Sequence, residues 1–155
     1  MATELIFGER IGRTVPIRLT VTCALPDAQG RLLLVRRADN GQWVLPGGGV
    51  DSGERVVEAV VRETEEETGI HVKPVNLIGI YSNPDVIISY ENGTRKYQVI
   101  SIMFLCEPMY GEPRVTEETT EWGYFAHDSL PEPVAPTHLE RIRDAVSFAG
   151  SVFVR

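Results

Sequence analysis

The chain has 155 residues, 43% hydrophobic and 24% charged, the balance of one soluble domain large enough to bury a core without disulfide staples. A formal net charge of −7 argues against a nucleic-acid polymer as partner, because phosphate backbones select basic surfaces. A small phosphorylated ligand stays admissible where cations shield the carboxylates. No charged-then-apolar leader and no apolar run of about 18 residues is found, so the expectation is a cytoplasmic protein without a membrane span.

Residues 1–14 are weakly patterned and suit an edge strand or a dimer arm. Val15 to Leu25 alternates in part, and Arg31 to Val35 is short and apolar. With the Pro26–Gly30 turn between them they read as a hairpin ending at Arg36 and Arg37. Trp43 to Leu45 leads into Pro46 and three glycines. Asp51, with Glu54 three residues on, has the form of a capping box for the helix that follows, and Gly69 supplies its left-handed end. His71 to Ser82 and Val86 to Glu91 are strand-like. Asn92-Gly93 is a hairpin signal flanked by Tyr90 and Tyr97. Gln98 to Cys106 is apolar enough for a central strand. An acidic loop, Gly111 to Thr120, precedes a short strand over Glu121–Phe125. Thr137 to Glu140 reads as a capping box for a last helix reaching Phe148, with His138 exposed on it. Cys23 and Cys106 sit in apolar runs and read as reduced core thiols. The order predicts one α/β or α+β domain, a mixed sheet with helices on its faces.

The central stretch is Gly48 to Ile70. At 100° per residue, Val57, Val60, Val61 and Thr64 form an aliphatic stripe expected to face the sheet. Glu54, Glu58, Arg62 and Glu66 climb another side, and Glu63, Glu66 and Glu67 converge. Like charges this close need a cation between them. Arg62 is spaced to pair with Glu54 and Glu66, which leaves Glu63 and Glu67 for a hard divalent ion such as Mg2+ or Mn2+. A solvated acidic face is the plain alternative. The glycines before the helix permit close backbone approach to a ligand, but the lysine and hydroxyl of a Walker phosphate loop are missing.

Gly48, Glu54, Arg62, Glu63, Glu66, Glu67, Gly69 and Ile70 fall in the register G-x(5)-E-x(7)-R-E-U-x-E-E-x-G-U, where U is a bulky aliphatic residue. The stretch resembles the Nudix box, with Thr64 at the first U as the one departure. That resemblance implies a mixed sheet between helices and a divalent-metal-dependent hydrolase. Such an enzyme cleaves the pyrophosphate of a small nucleoside diphosphate linked to a group X, of the ADP-ribose, sugar-nucleotide or nucleoside triphosphate kind. By position it implies Glu63, Glu66 and Glu67 as metal ligands, one of them also the base, with Glu54 and Arg62 orienting them. The Gly47 carbonyl and a late-loop carboxylate, Glu118 or its neighbour Glu117, would complete the metal set. The family also suggests a homodimer.

For substrate contacts the sequence offers Arg36 and Arg37 at a strand end, where a guanidinium reaches a phosphate, and Tyr81, Tyr90 or Tyr97 for stacking on a base. A catalytically silent nucleotide sensor is the competing reading, and retention of all three box carboxylates favours the enzyme. A calcium-binding loop of the EF-hand kind is absent.

Overall fold

The computed structural model describes residues 2–155. Its longest strand sets the architecture. β8 (Arg95–Tyr110) runs antiparallel to β7 (Val86–Tyr90) at its start and parallel to β2 (Ile17–Ala24) over Gln98–Leu105. Its second half pairs antiparallel with β6 (His71–Tyr81). β1 (Glu4–Phe7) adds to the free edge of β7 as an edge strand of the sheet. On the other side β5 (Gly47–Gly49) pairs with β2, and β10 (Phe153–Val154) lies parallel to β6. A second, three-stranded sheet has the order β4 (Trp43–Val44), β3 (Leu32–Arg37), β9 (Thr119–Phe125).

The core divides by side-chain parity. Val21 and Cys23 of β2, Leu33 of β3, and Phe104 and Cys106 of β8 point to one side, where they meet Ala59 and Val60 of α1 (Val56–Thr68). Leu32, Leu34 and Met103 point to the other side, against Ile142 of α2 (Pro136–Ser147). Alternate residues of one strand therefore serve two helices on opposite faces, which is the expected mixed sheet between helices. Both cysteines are free and buried. Among the described residues no helix is long and apolar enough to cross a membrane.

Five local expectations need correction. Leu33 N–H donates to the Leu25 carbonyl at 3.0 Å, closing the Pro26–Gly30 turn, but β2 and β3 then part into different sheets. Val21–Ala24 and Leu32–Val35 are buried without a break, so each run needs cover on both faces and a two-stranded ribbon cannot supply it. The Asn92-Gly93 hairpin forms, but with a wider loop in which Glu91, Asn92 and Gly93 all have positive φ.

The capping box expected from Asp51 sits ahead of α1. Asp51 N–H donates to Glu54 at 3.0 Å within that turn, while the helix itself starts with Arg55 N–H donating to Glu58 at 2.8 Å. The buried face of α1 is Ala59, Val60, Thr64, Glu67 and Thr68, and Val57 is 43% exposed. Small Ala59 lets the helix lie closer to the sheet than Val57 would, rotating the stripe. In α2, Pro136 takes the first position and Thr137 lies inside the first turn, so no box forms there. Proline has no N–H to leave unpaired at that place.

Candidate active site

Arg62 organises the cluster. Its Nε and Nη2 make a two-pronged pair with Glu54, at 2.7 and 2.9 Å. Nη2 also donates to the Gly49 carbonyl at 2.9 Å, which ties the helix to the glycine strand. Nη1 reaches Glu63 at 2.8 Å and Glu66 at 3.3 Å. Arg62 thus braces Glu63 as well as Glu54 and Glu66, where spacing alone assigned it only the latter two. The fork and the Asp51 N–H hold the Glu54 carboxyl down at about 2.

Glu67 is in the opposite condition. It lies on the buried face of α1, and its carboxylate accepts from Gly47 N–H at 3.2 Å. Burial raises it to about 8; the Gly47 bond opposes the rise, and the negative charge of Glu63 adds to it. Burial likewise raises Glu63 against the pull of Arg62, with Glu66 and Glu118 adding repulsion. The glycines make this closeness possible. A Cβ on Gly48 would fall 2.5 Å from the Glu63 carboxyl, and one on Gly47 would strike the Val21 carbonyl.

These carboxylates border a cavity of about 600 Å3 whose rim also includes Arg37, Asp39, Tyr90, Glu117 and Glu118. The late loop is held there by the C-terminus of α1. Arg114 N–H donates to the Thr68 carbonyl at 2.9 Å, and Thr119 Oγ1 to the Glu67 carbonyl at 3.3 Å. Gly69 ends the helix at φ 78°, as its sequence position predicts.

The predicted substrate contacts separate. Arg37 lines the cavity, but its fork is engaged by Asp39 at 2.8 and 2.9 Å. Asp39, partly buried, is nonetheless held at about 2 by Arg37 and Thr3. Arg36 points elsewhere: it pairs with Glu121 at 2.6 Å and donates to the Gly41 carbonyl. Successive strand residues face opposite ways, so only one of the two arginines can reach the cleft. Tyr81 is buried in the core beneath α2, where its hydroxyl donates to Asp144 at 2.9 Å. Tyr90 does line the cleft, with the Arg18 guanidinium 5.7 Å from its ring centre. Sequence reasoning missed Arg18, Asp39 and Thr3. Thr3 lies 36 residues before Asp39 yet donates to it through both N–H and hydroxyl. No local pattern announces such a contact.

The donor set suits a hard divalent ion: it consists of carboxylate oxygens and backbone, with no thiol or imidazole. The raised Glu63 and Glu67 are the second sign of fit, since a cation between them would offset the cost of burying their charges and the repulsion between them. Among the described residues, no three acidic, histidine or cysteine side chains are gathered tightly enough to hold an ion. Arg62 draws Glu63 and Glu66 to itself, and Glu67 turns to Gly47.

The NUDIX domain family matches residues 16–145. The chain belongs to that family. A MutT-like protein of Streptomyces ambofaciens is 38% identical over 121 residues, 78% of this chain and 71% of its own length. An ADP-ribose pyrophosphatase of Methanocaldococcus jannaschii is 37% identical, covering 76% of this chain and 67% of its own. Among solved structures, an ADP-ribose pyrophosphatase from Streptococcus suis superposes with a TM-score of 0.70 at 27% identity, covering 89% of this chain and 97% of the other. This chain is a Nudix hydrolase, and its box is the helix and glycine strand just described.

Proposed function

We propose that this Nudix hydrolase cleaves the pyrophosphate of a small nucleoside diphosphate linked to X, with ADP-ribose the first substrate to test. The observation that carries the reading is the pairing of a buried, barely stabilised Glu67 with a glycine strand at the edge of a nucleotide-sized cleft. Two similar proteins named ADP-ribose pyrophosphatase supply the choice of X.

Glu63, Glu66 and Glu67, with Glu118 from the late loop, would hold Mg2+ or Mn2+. Bound there, the ion would acidify a water and offset charge on the phosphoryl oxygens. The chain's own residues do the remainder. Arg62 keeps Glu63 and Glu66 on one side of the cleft, and Glu54 keeps Arg62 in place. The missing side chains of Gly47 and Gly48 let the Glu63 carboxyl and β2 lie close against the glycine strand at the edge of the cleft. A carboxylate of the cluster takes the proton from water as its oxygen attacks phosphorus. The bridging P–O bond breaks, and the leaving phosphate departs with the electron pair.

The test is a panel of nucleoside diphosphate derivatives and triphosphates with Mg2+, Mn2+ or EDTA. Ion-dependent cleavage of ADP-ribose is expected, with loss of turnover in Glu63→Gln and Glu67→Gln while the fold persists. Undiminished turnover in both variants would overturn the assignment of these carboxylates. Tight nucleotide binding without cleavage of any panel member would instead identify a sensor.

A further inference from the structure

Behind the glycine strand a narrow cavity of about 90 Å3 borders Gly47 and Gly48 at one end and Thr137, His138 and Arg141 of α2 at the other. A wider cavity of about 600 Å3 lies beyond, sharing Ile88, Val99, Thr137 and Arg141 with the first. Arg141 is only 9% exposed and has no carboxylate within ion-pair distance among the described residues. Its Nε is sealed from solvent and has no hydrogen-bond partner. Its Nη1 donates to Thr22 Oγ1 at 3.3 Å, and its face lies over Tyr81.

His138 makes the shortage of acceptors sharper. Leu45 N–H donates to His138 Nδ1 at 3.0 Å, so that nitrogen is unprotonated and a neutral ring carries its proton on Nε2. Burial, then the charges of Arg141 and Arg37, hold this histidine well below its ordinary value and so neutral. Nε2 therefore presents N–H toward Arg141 Nη1, 3.3 Å away. Two donor groups face each other across a cavity wall. Neither neighbouring carboxylate of α2 pairs with it: Asp144 is held by Arg155 and Tyr81, and Glu140, which borders the wider cavity and acts on Arg141 only through space, makes no ion pair with it among the described residues. A buried guanidinium without a paired counter-charge is costly. An uncompensated one is retained where a ligand supplies the missing acceptors.

We propose that Arg141 and His138 form the floor of an oxyanion-binding subsite, which receives a phosphate or carboxylate carried on the X group of the substrate. The placement of substrate here rests on the hydrolase reading above. The small cavity shares Arg37, Val44, Gly47, Gly48 and Tyr90 with the carboxylate cleft, so one molecule can present its pyrophosphate to Glu67 and its anionic end to Arg141. Arginine and Nε2–H together offer a donor array that matches an oxyanion, and among the described side chains only the Thr22 hydroxyl accepts from it, leaving Nε unpartnered.

Two measurements separate the subsite from the reaction. The first titrates inorganic phosphate into the full chain in EDTA, following the Arg141 Nε–H and His138 ring resonances. Saturable shifts at both are expected in the wild-type protein, and the His138 shift should be abolished in Arg141→Gln and weakened in Arg141→Lys. Val99→Phe, which fills the shared wall while leaving Arg141 intact, should abolish them too and guards against a misfolded Arg141 variant. Absence of shifts in the wild-type protein, or shifts that survive both Arg141→Gln and Val99→Phe, would overturn the subsite. The second compares kcat/KM for two nucleoside diphosphate substrates, one whose X ends in a phosphate and one whose X is uncharged. Arg141→Gln should lower the ratio of the two about tenfold, the size of one charge-assisted contact. An unchanged ratio with phosphate shifts present would mean that the anion is a separate molecule, overturning the link to X. Failure of both substrates to be cleaved would count against the hydrolase reading while leaving the phosphate titration to decide the subsite.

Discussion

Glu67→Gln separates the stability of the metal-free fold from its activity, in opposite directions. The Glu67 carboxyl is raised from 4.5 to about 8, chiefly by burial. A raised carboxyl means that the folded protein keeps a proton which the unfolded chain has lost. Stability therefore falls as pH rises from about 4.5 to about 8, and the full penalty stands above that window. At 1.36 kcal/mol per pK unit the ceiling is about 5 kcal/mol. Relaxation and water entry recover part of it, so about 2 kcal/mol is the working expectation. Glutamine keeps the shape and can still accept from Gly47 N–H, but it carries no charge. In EDTA at pH 8.5 the variant should melt about 4–8 °C above wild type, and at pH 4 the two should coincide. Added Mg2+ should raise the wild-type melting temperature and leave the variant's unchanged, while turnover is lost. Equal melting temperatures at pH 8.5 in EDTA would refute the claim that burial, uncompensated by a cation, sets the state of Glu67.

Three further outcomes follow from single contacts. Thr64 is fully buried and its hydroxyl has no partner among the described residues, so Thr64→Val should stabilise the fold by about 1 kcal/mol in urea titration. Arg62→Lys keeps the charge but cannot fork to Glu54 or span Gly49, Glu63 and Glu66 together; kcat/KM should fall about 10–100-fold with circular dichroism unchanged. Tyr81→Phe removes the bond to Asp144 and should cost about 1 kcal/mol of stability, with KM for nucleotide substrates unaltered. A large KM rise in that variant would return Tyr81 to the substrate contacts.

What the sequence disclosed follows from how local each cause is. Glu54, Arg62, Glu63, Glu66 and Glu67 lie on or just before one helix, so their convergence is a matter of turn geometry and register, legible without coordinates. Gly69 is equally local. Val57 was misplaced because the helical wheel gives spacing but not the rotation at which a small residue, here Ala59, seats the helix. The partner of a strand is less legible still: Leu32–Val35 looks the same whether it pairs with β2 or with β9. Arg36 and Arg37 were indistinguishable until strand parity sent one to the cleft and the other to Glu121. The Thr3–Asp39–Arg37 link and the Leu45–His138 bond cross long stretches of chain, and no periodicity encodes them.

The Thr3–Asp39–Arg37 link also sets the terms on which the cleft admits charge. Any phosphate that recruits the Arg37 fork competes with an aspartate already seated on it. Asp39 loses its guanidinium partner when the phosphate wins, and Thr3 is left as its sole donor from the N-terminal segment. The four residues of β1 hang on the sheet by one edge alone. Occupancy of the cleft and fastening of that outer strand are thereby connected through one shared arginine, which makes an edge strand of the sheet a gauge of what the cleft contains.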